Sequence, residues 1–141
     1  MSRGSWIVVL LVSLAARASA VTDITTCGQT VPPGETAILQ TDLDCGSTDD
    51  AVVMERSTTL FLNGHTIAQA PSVGRAINCI AGPRRRCRVV GPGTVSGGYL
   101  TVGALGYVSL EGLTVSGAQG GWCVIATNGR AILEDVTGQP T

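Results

Sequence analysis

The feature that most constrains the fold is a motif that recurs along the chain at a nearly constant interval. Its clearest copy is Leu60–Ile67, in which alternating apolar side chains precede an Asn-Gly-His-Thr-Ile corner. Further copies occupy residues 88–95, 108–115 and, in weaker form, 131–138. A repeat of this length, with two short strands and turn residues in each copy, is typical of a solenoid. One copy alone cannot bury its apolar face, so neighbouring copies must stack to form a core.

Alignment of the copies predicts the register of the stack. One column holds threonines and a second holds apolar residues that we expect to face the interior. The predicted threonine column is Thr66, Thr94, Thr114 and Thr137, and the predicted apolar column is Leu62, Val90, Leu110 and Leu133. A second block of strand residues begins at Gly74, Gly98 and Gly121, which are almost equally spaced, and Asp50 lies one such interval before Gly74.

These repeats predict an all-β chain that folds as a right-handed, single-stranded parallel β-helix of about four to five coils. The strands must be parallel because each is followed one turn later by its own successor, and crossovers between parallel strands are right-handed. Each coil advances by about 4.8 Å, so the stack is about 20–25 Å long.

Residues 1–20 have the composition of a secretory signal peptide. Arg3 supplies the positive charge, Trp6–Ala16 the apolar segment, and Ala18-Ser19-Ala20 the small-residue cleavage site. The apolar run is shorter than the roughly 20 residues that span a bilayer, which favours a cleaved leader over an anchor. We therefore expect a secreted or cell-surface protein, periplasmic or extracellular, with no membrane contact after cleavage. Residues 21–49 then form an N-terminal segment with the first coil, and residues 50–141 the clear repeats.

The charge balance of the predicted mature chain is mildly acidic. Beyond residue 20 there are seven Arg, no Lys and ten Asp plus Glu, which gives a net charge near −3. A nucleic-acid-binding domain requires a basic surface. We therefore expect no nucleic-acid partner.

The cysteine pattern predicts two disulfides. Five cysteines fit an oxidising compartment. Cys27 and Cys45 bracket the segment before the clear repeats, and Cys79 and Cys87 bracket a short insertion that we assign to Pro83–Arg86. Bridges within these two pairs would each contribute about 2–3 kcal/mol. Sequence alone does not fix the connectivity.

The inserted segment, together with the residue after Cys87, carries the one cluster of like charge in the chain: Arg84, Arg85, Arg86 and Arg88. Arginine forks bind carboxylate and phosphate groups, so this cluster is a candidate contact for an acidic polysaccharide or for phosphate groups. The alternative interpretation is a solvated loop without a partner. The predicted register assigns no acidic column beside the cluster. If the alignment gap lies elsewhere, however, Glu111, Glu134 and Arg88 share one face.

The corner sequences resemble a known group of proteins. Leu-x-Leu-Asn-Gly-His-Thr-Ile, followed by Val-x-Gly-Pro-Gly-Thr-Val-Ser-Gly, is similar to right-handed parallel β-helix proteins with the pectin-lyase-like fold. The resemblance extends over residues 36–138. It implies the fold and leaves the activity open, because that fold hosts pectate lyases, polygalacturonases, copper-cofactor accessory proteins, tailspikes and surface adhesins.

The catalytic motifs of those enzymes are not found in the sequence. Polygalacturonase-like members share Asn-Thr-Asp and Gly-His-Gly segments, and pectate-lyase-like members hold calcium with several Asp on one sheet; neither pattern occurs. Asp49-Asp50 is interpreted as a solvated turn, and His65, the one histidine, as part of a structural corner. Cys123 falls in an apolar column and is expected to be a buried, inert thiol. We expect no catalytic residue, cofactor or metal in this chain.

Two functional classes follow from the sequence. The first is a secreted, non-catalytic β-helix module that serves as a scaffold or binds a surface or glycan, with a polysaccharide as the expected partner. The second is the N-terminal part of a polysaccharide lyase or glycoside hydrolase whose catalytic residues lie outside this chain. The sequence stops within a coil at Gly138–Thr141, without a polar cap. An uncapped end exposes strand edges, so we expect either a fragment of a longer protein or an end-to-end contact with a partner.

Overall fold

The computed structural model describes residues 20–46, 49–117 and 123–139, and these residues form fourteen strands and no helix. The predicted signal peptide lies outside the described residues except for Ala20, and so does Gly121, the predicted start of one repeat. The strands are β1 (Val21–Ile24), β2 (Gln29–Val31), β3 (Thr36–Leu39), β4 (Leu43–Cys45), β5 (Asp50–Glu55), β6 (Thr59–Phe61), β7 (Thr66–Gln69), β8 (Arg75–Val90), β9 (Thr94–Gly97), β10 (Leu100–Glu111), β11 (Thr114–Ser116), β12 (Val124–Thr127), β13 (Ala131–Glu134) and β14 (Thr137–Gln139).

Grouped by pairing, the strands form three stacks of parallel strands. β8 and β10 are long and each serves two stacks, with the change near Gly82 in β8 and Gly106 in β10. The first stack contains β2, β5, the first halves of β8 and β10, and β12. The second contains β1, β3, β6, the second halves of β8 and β10, and β13. The third contains β4, β7, β9, β11 and β14, and its five strands correspond to about four full turns. The predicted parallel β-solenoid is therefore confirmed.

The core lies between the three stacks and is filled by aliphatic side chains. Each stack turns one face inward, so buried and exposed residues alternate along most strands. Full burial of an aliphatic side chain contributes about 1.5–3 kcal/mol. The fully buried residues at the centre of the three stacks include Val52, Ile77 and Val102 in the first, Leu60, Val89 and Leu110 in the second, and Ile67 and Val95 in the third.

The predicted threonine column is confirmed, but the predicted apolar column is wrong in its first two members. Thr66, Thr94, Thr114 and Thr137 are successive partners in the third stack. The apolar ladder of the second stack is instead Leu60, Val89, Leu110 and Leu133. The length of the corner between the second and third stacks varies: Thr66 follows Leu60 by six residues, Thr94 follows Val89 by five, and Thr114 follows Leu110 by four. Corner residues tolerate such length differences better than strand residues. The sequence alignment placed the threonines correctly but assumed corners of equal length. It therefore assigned Leu62 and Val90 to the ladder positions that Leu60 and Val89 occupy.

The register of the first stack also differs by one position from the prediction. Leu100 pairs with Arg75, and Arg75 with Asp50, so the repeat is one position longer here than the alignment of the glycines implies. The predicted interval returns where Gly106 pairs with Gly82, because Ala81 is an extra residue in β8. A bulge of this kind leaves one residue without a ladder partner.

Glycines occupy corner positions at which a residue with a side chain would be strained or would clash. Gly64 has a φ of 84°, in the left-handed region that favours glycine. A Cβ on Gly91 would lie 1.9 Å from the carbonyl oxygen of Gly112 in the next coil. A side chain at position 91 would therefore separate the two coils.

Both predicted disulfides form. Cys27 and Cys45 join the N-terminal segment to the end of β4, with Sγ atoms 1.98 Å apart, and Cys79 and Cys87 are joined at 2.06 Å. Two disulfides in a small domain are typical of proteins from an oxidising, extracellular-type environment. Among the described residues, no helix is long and apolar enough to cross a bilayer.

Candidate functional site

Three of the four arginines of the cluster, Arg84, Arg85 and Arg86, lie on a loop within β8, residues 81–86, that we call the arginine loop. The Cys79–Cys87 disulfide closes its base, where the two Cα atoms are 6.0 Å apart. Ala81 and Pro83–Arg85 have no partner in β10 and therefore form the insertion. The predicted insertion, Pro83–Arg86, is thus wrong at its last residue, because Arg86 pairs with Tyr107.

The three arginines of the loop form no ion pair with the described residues. Arg84, Arg85 and Arg86 are all exposed. In the part of the chain that the structure describes, no carboxylate lies within ion-pair distance of them, and the ion pairs there involve other residues. Arg84 adopts a φ of 63°, which turns the loop at its tip. The loop therefore holds three positive charges whose donors remain available to a ligand.

The ladder beside the loop adds an aromatic ring and a further arginine. Arg86 in β8 is the partner of Tyr107 in β10, and both side chains face solvent. Arg130 immediately precedes Ala131, which pairs with Val108, and the Arg130 carbonyl accepts the Val108 N–H at 3.0 Å. Tyr107 thus stands between two exposed arginines on adjacent coils. We call Arg84, Arg85, Arg86, Tyr107 and Arg130 the basic corner.

Two open depressions border the basic corner. The larger has a volume of about 560 Å³, and its lining residues are Ser57, Arg84, Arg85, Arg86, Tyr107, Val108 and Ile132. The smaller has a volume of about 270 Å³, and its lining residues are Ser57, Thr58, Thr59, Arg86 and Arg88. Arg86 and Ser57 belong to both. The two depressions therefore form a continuous surface of arginine, hydroxyl and aromatic groups.

The prediction that no acidic column lies beside the arginine cluster is wrong. Arg88, unlike the three arginines of the loop, is paired with a carboxylate. Its Nε donates to Oε1 of Glu111 at 2.8 Å and its Nη2 donates to Oε2, so the pair is bidentate. Ser109 donates a further hydrogen bond to Glu111 at 3.1 Å. Glu134 is the partner of Glu111 on the next coil, as predicted. The alternative placement of the gap, with Arg88, Glu111 and Glu134 on one face, is the correct one.

The ion pair between Arg88 and Glu111 shifts the pKa of both side chains. The hydrogen bonds from Arg88 lower the pKa of the Glu111 carboxyl, with a smaller contribution from Ser109 and from the charges of Arg88 and Arg86. The same hydrogen bonds raise the pKa of Arg88. A carboxylate held in its ionised form by a bidentate arginine is a poor proton donor, so Glu111 is not placed to act as a general acid.

The other acidic and histidine candidates have structural partners. Asp50 is not the solvated turn residue that we predicted: its two carboxylate oxygens accept the Arg75 backbone N–H at 3.0 Å and the Asn78 amide at 2.7 Å. Nδ1 of His65 lies 3.2 Å from Oδ1 of Asp42, and the same carboxylate oxygen accepts the Thr66 N–H at 2.8 Å. The hydrogen bond from the Thr66 N–H lowers the pKa of Asp42 most, and the hydrogen bond with His65 lowers it further. Both contacts join adjacent coils.

Neither Cys123 nor a cluster of metal-ligand side chains is part of the basic corner in the described residues. Cys123 is a free cysteine, partly buried and packed against the core. Among residues 20–46, 49–117 and 123–139, no group of three or more His, Cys, Asp or Glu side chains is placed to hold a metal ion.

The sequence interpretation missed two members of the basic corner. Tyr107 and Arg130 are isolated in sequence, and no motif marks them. The signal that identifies them is the register. Arg130 follows Tyr107 by one local repeat, whereas Tyr107 follows Arg86 by a shorter interval because the inserted residues precede Arg86. Only a correctly placed gap brings the three together.

No known protein family, curated protein or solved structure matches the chain.

Proposed function

We propose that this protein is a secreted, non-catalytic β-solenoid module that binds an acidic polysaccharide at the basic corner. The observation that carries the proposal is the exposure of Arg84, Arg85 and Arg86 on a disulfide-closed loop, beside Tyr107 and Arg130, with no acidic partner among the described residues. A clamped loop loses less conformational entropy on binding than a free one, which favours affinity.

The chemistry of the corner favours acidic sugars over neutral ones. Guanidinium forks make charge-assisted hydrogen bonds to carboxylate and sulfate-like oxygens, and such bonds are about twice as strong as neutral ones. The Tyr107 ring offers a flat apolar surface with a polar end. An acidic sugar presents both an apolar ring face and an anionic group, so it complements the arginines and the tyrosine at once.

The shape of the corner favours a polymer over a small anion. The arginines and Tyr107 lie on successive coils, which are about 4.8 Å apart along the axis. Repeated anionic groups along one chain would contact several of them together, and linked contacts multiply affinity without any single strong site. The open depressions also leave both ends of a bound segment free to continue.

We infer that the solenoid is right-handed and related to the pectin-lyase-like group. The Asn-Gly-His-Thr-Ile corner and the Gly-Pro-Gly-Thr-Val corner support this inference. A signal peptide at residues 1–20 and export from the cytoplasm are further parts of the proposal, and the two disulfides support export.

Binding measurements with defined polymers test the proposal. The mature chain should bind polygalacturonate and dextran sulfate, should bind uncharged dextran at least about tenfold more weakly, and should lose affinity as salt rises above about 0.1 M. Single-stranded DNA serves as the nucleic-acid comparison. Preference for DNA, or equal binding of charged and uncharged dextran, would contradict the proposal.

A matched pair of single-charge variants locates the interaction. Arg86→Gln removes a charge from the basic corner, and Arg75→Gln removes one from the first half of β8, away from it. We expect Arg86→Gln to weaken polygalacturonate binding by about threefold to tenfold, and the Arg84→Gln/Arg85→Gln/Arg86→Gln variant by more. Arg75→Gln should leave it unchanged. Equal losses in the two single variants would show that net charge, and not the corner, determines binding.

A further inference from the structure

A second polar group lies on the outer face of the first stack, at the end of β8 opposite to the arginine loop. Its central residue is Arg75, which is 42% exposed. Arg75 pairs with Leu100 of β10, and Tyr99, the residue before Leu100, is 67% exposed. This surface took no part in the proposed function.

The Arg75 side chain lies in a cradle formed by the missing side chain of Gly103. A Cβ on Gly103 would lie 2.5 Å from Cδ and 2.7 Å from Nε of Arg75. Gly103 pairs with Asn78 on one side and Ile125 on the other, so it forms a low point on the outer surface of the stack. Any larger residue at position 103 would displace the guanidinium. Gly103 therefore leaves the space in which the Arg75 side chain lies across the neighbouring strand.

The guanidinium keeps most of its hydrogen-bonding capacity. Its Nη1 is 3.8 Å from Oδ2 of Asp50, beyond hydrogen-bond distance. The Asp50 oxygens accept the Arg75 backbone N–H and the Asn78 amide instead. Arg75 thus forms a long, partly solvent-exposed ion pair with Asp50, while its side-chain donors have no hydrogen-bond acceptor in the described part of the chain.

Arg75 and Leu100 separate two adjoining depressions of about 360 and 500 Å³. The first has a largely apolar surface, and its lining residues include Ile80, Leu105 and Ile125, which are all exposed large aliphatic side chains. The second has Tyr99, Ser72 and Asp50 among its lining residues. Volumes in this range are those of small-molecule sites, which combine an apolar lining with a few fixed polar groups.

We propose that the first depression, which we call the Arg75 groove, binds a small organic carboxylate with an apolar body. Arg75 would hold the anionic end of this ligand, and Ile80, Leu105 and Ile125 would contact its body. A carboxylate fits the arginine fork with two parallel hydrogen bonds. The aliphatic residues would be covered by the body of the ligand, which accounts for three exposed large side chains on one small area of the surface. A free acid and the C-terminal residue of a peptide share this chemistry.

Titration with matched probes tests the site. 4-Phenylbutyrate should bind saturably to the mature chain, while 4-phenylbutanol, which lacks the carboxylate, and acetate, which lacks the apolar body, should bind at least about tenfold more weakly. A short peptide that ends in a free phenylalanine carboxylate, compared with its amide, distinguishes a peptide terminus from a free acid as the source. Non-saturable binding of 4-phenylbutyrate, or equal binding of the alcohol, would overturn the proposal.

Variants assign the binding to the groove. Arg75→Gln and Gly103→Ala should each weaken 4-phenylbutyrate binding by about tenfold or more, the second because the new methyl group displaces the guanidinium. Arg130→Gln, in the basic corner, should leave it unchanged. If Gly103→Ala fails to fold, Arg75→Gln still decides the question. Unchanged binding in Arg75→Gln would overturn the assignment without affecting the polysaccharide proposal, whose own variants lie in the basic corner.

Discussion

Arg86 and Tyr107 are partners on adjacent strands of the second stack, and both side chains face solvent. Neighbouring strands are about 4.8 Å apart, so the guanidinium and the phenol ring are presented together to any ligand at this corner. The arrangement depends on the loop before Arg86, because the unpaired residues Ala81 and Pro83–Arg85 bring Arg86 into register with Tyr107.

The first prediction concerns the aromatic ring. Tyr107→Ala should weaken polygalacturonate binding by about threefold to tenfold, the loss expected for one ring contact of about 0.5–1.5 kcal/mol. Tyr107 is 38% exposed, so its removal should change the melting temperature little. Tyr99→Ala, which removes the more exposed tyrosine, is the control and should bind as the parent does. An equal effect of both substitutions would contradict the assignment of Tyr107.

The second prediction separates the roles of the two disulfides. The Cys79→Ser/Cys87→Ser and Cys27→Ser/Cys45→Ser variants should each lose about 2–3 kcal/mol of unfolding free energy, measured by urea denaturation. Only the first should also weaken polygalacturonate binding, because it frees the arginine loop, which must then be ordered on binding. Equal affinity of the two variants would show that closure of the loop does not contribute to recognition.

The third prediction uses two residues of the same ladder with different burial. Leu110 and Leu133 are partners, but Leu110 is fully buried and Leu133 is 54% exposed in the last described coil. Leu110→Asp should prevent folding, because an isolated buried carboxylate costs several kcal/mol. Leu133→Asp should yield a folded protein with a modest loss of melting temperature. Folded Leu110→Asp protein with parental melting would refute the ladder.

The sequence predicted the solenoid, the threonine column and the disulfides because each depends on a local pattern. Thr66, Thr94, Thr114 and Thr137 lie at the same point of each corner, and Cys79 and Cys87 lie on either side of the insertion. The interior column was wrong because the corner between Leu60 and Thr66 is longer than the one between Leu110 and Thr114. Spacing in the sequence counts residues along the chain, whereas the partners in a ladder are set by hydrogen bonds between strands. A corner of variable length therefore makes the two disagree.

The same limitation explains why the candidate site was predicted only in part. The arginine cluster is contiguous and therefore visible in the sequence. The sequence does not show that Arg88 differs from the other three arginines. Arg88 is paired with Glu111 on the next coil, and the others have no such pair among the described residues. The position of Tyr107 depends on the shift of register at Gly82 and Gly106, and the positions of Arg130 and Gly103 depend on strand pairings that no sequence motif marks.

The fourth prediction concerns acid stability. The folded-state pKa of Glu111 is lowered from its ordinary value of 4.5, mainly by the hydrogen bonds from Arg88. The stabilisation from this pair is therefore fully present above about pH 4.5 and is lost as the pH falls through the folded-state pKa. Between about pH 6 and pH 3, the unfolding free energy of the parent protein should fall more steeply than that of Glu111→Gln. Parallel pH profiles would contradict this account of the pair.

The fifth prediction is that the mature chain does not cleave polysaccharides. Glycoside hydrolysis requires two suitably placed carboxyl groups, one of them able to donate a proton. Glu111 and Glu134 are adjacent, but Glu111 is held ionised by Arg88. Incubation with pectate or alginate in the presence of calcium should release neither reducing nor unsaturated ends. Product formation that is lost in Glu111→Gln would show that the pair is catalytic.

The most direct test of the central proposal is to map the bound polysaccharide on the protein by NMR, which the size of the protein permits, since the whole 141-residue chain has a mass of 14.4 kDa. Addition of an oligogalacturonate to the isotope-labelled mature chain should shift the amide signals of residues 84–86, Tyr107 and Arg130, and those signals should remain unshifted with uncharged oligosaccharide. The signals of Asn78 and Gly103 should stay in place in both titrations. Shifts confined to the first stack, or no saturable shift at the basic corner, would contradict the proposal that this corner is the polysaccharide-binding site.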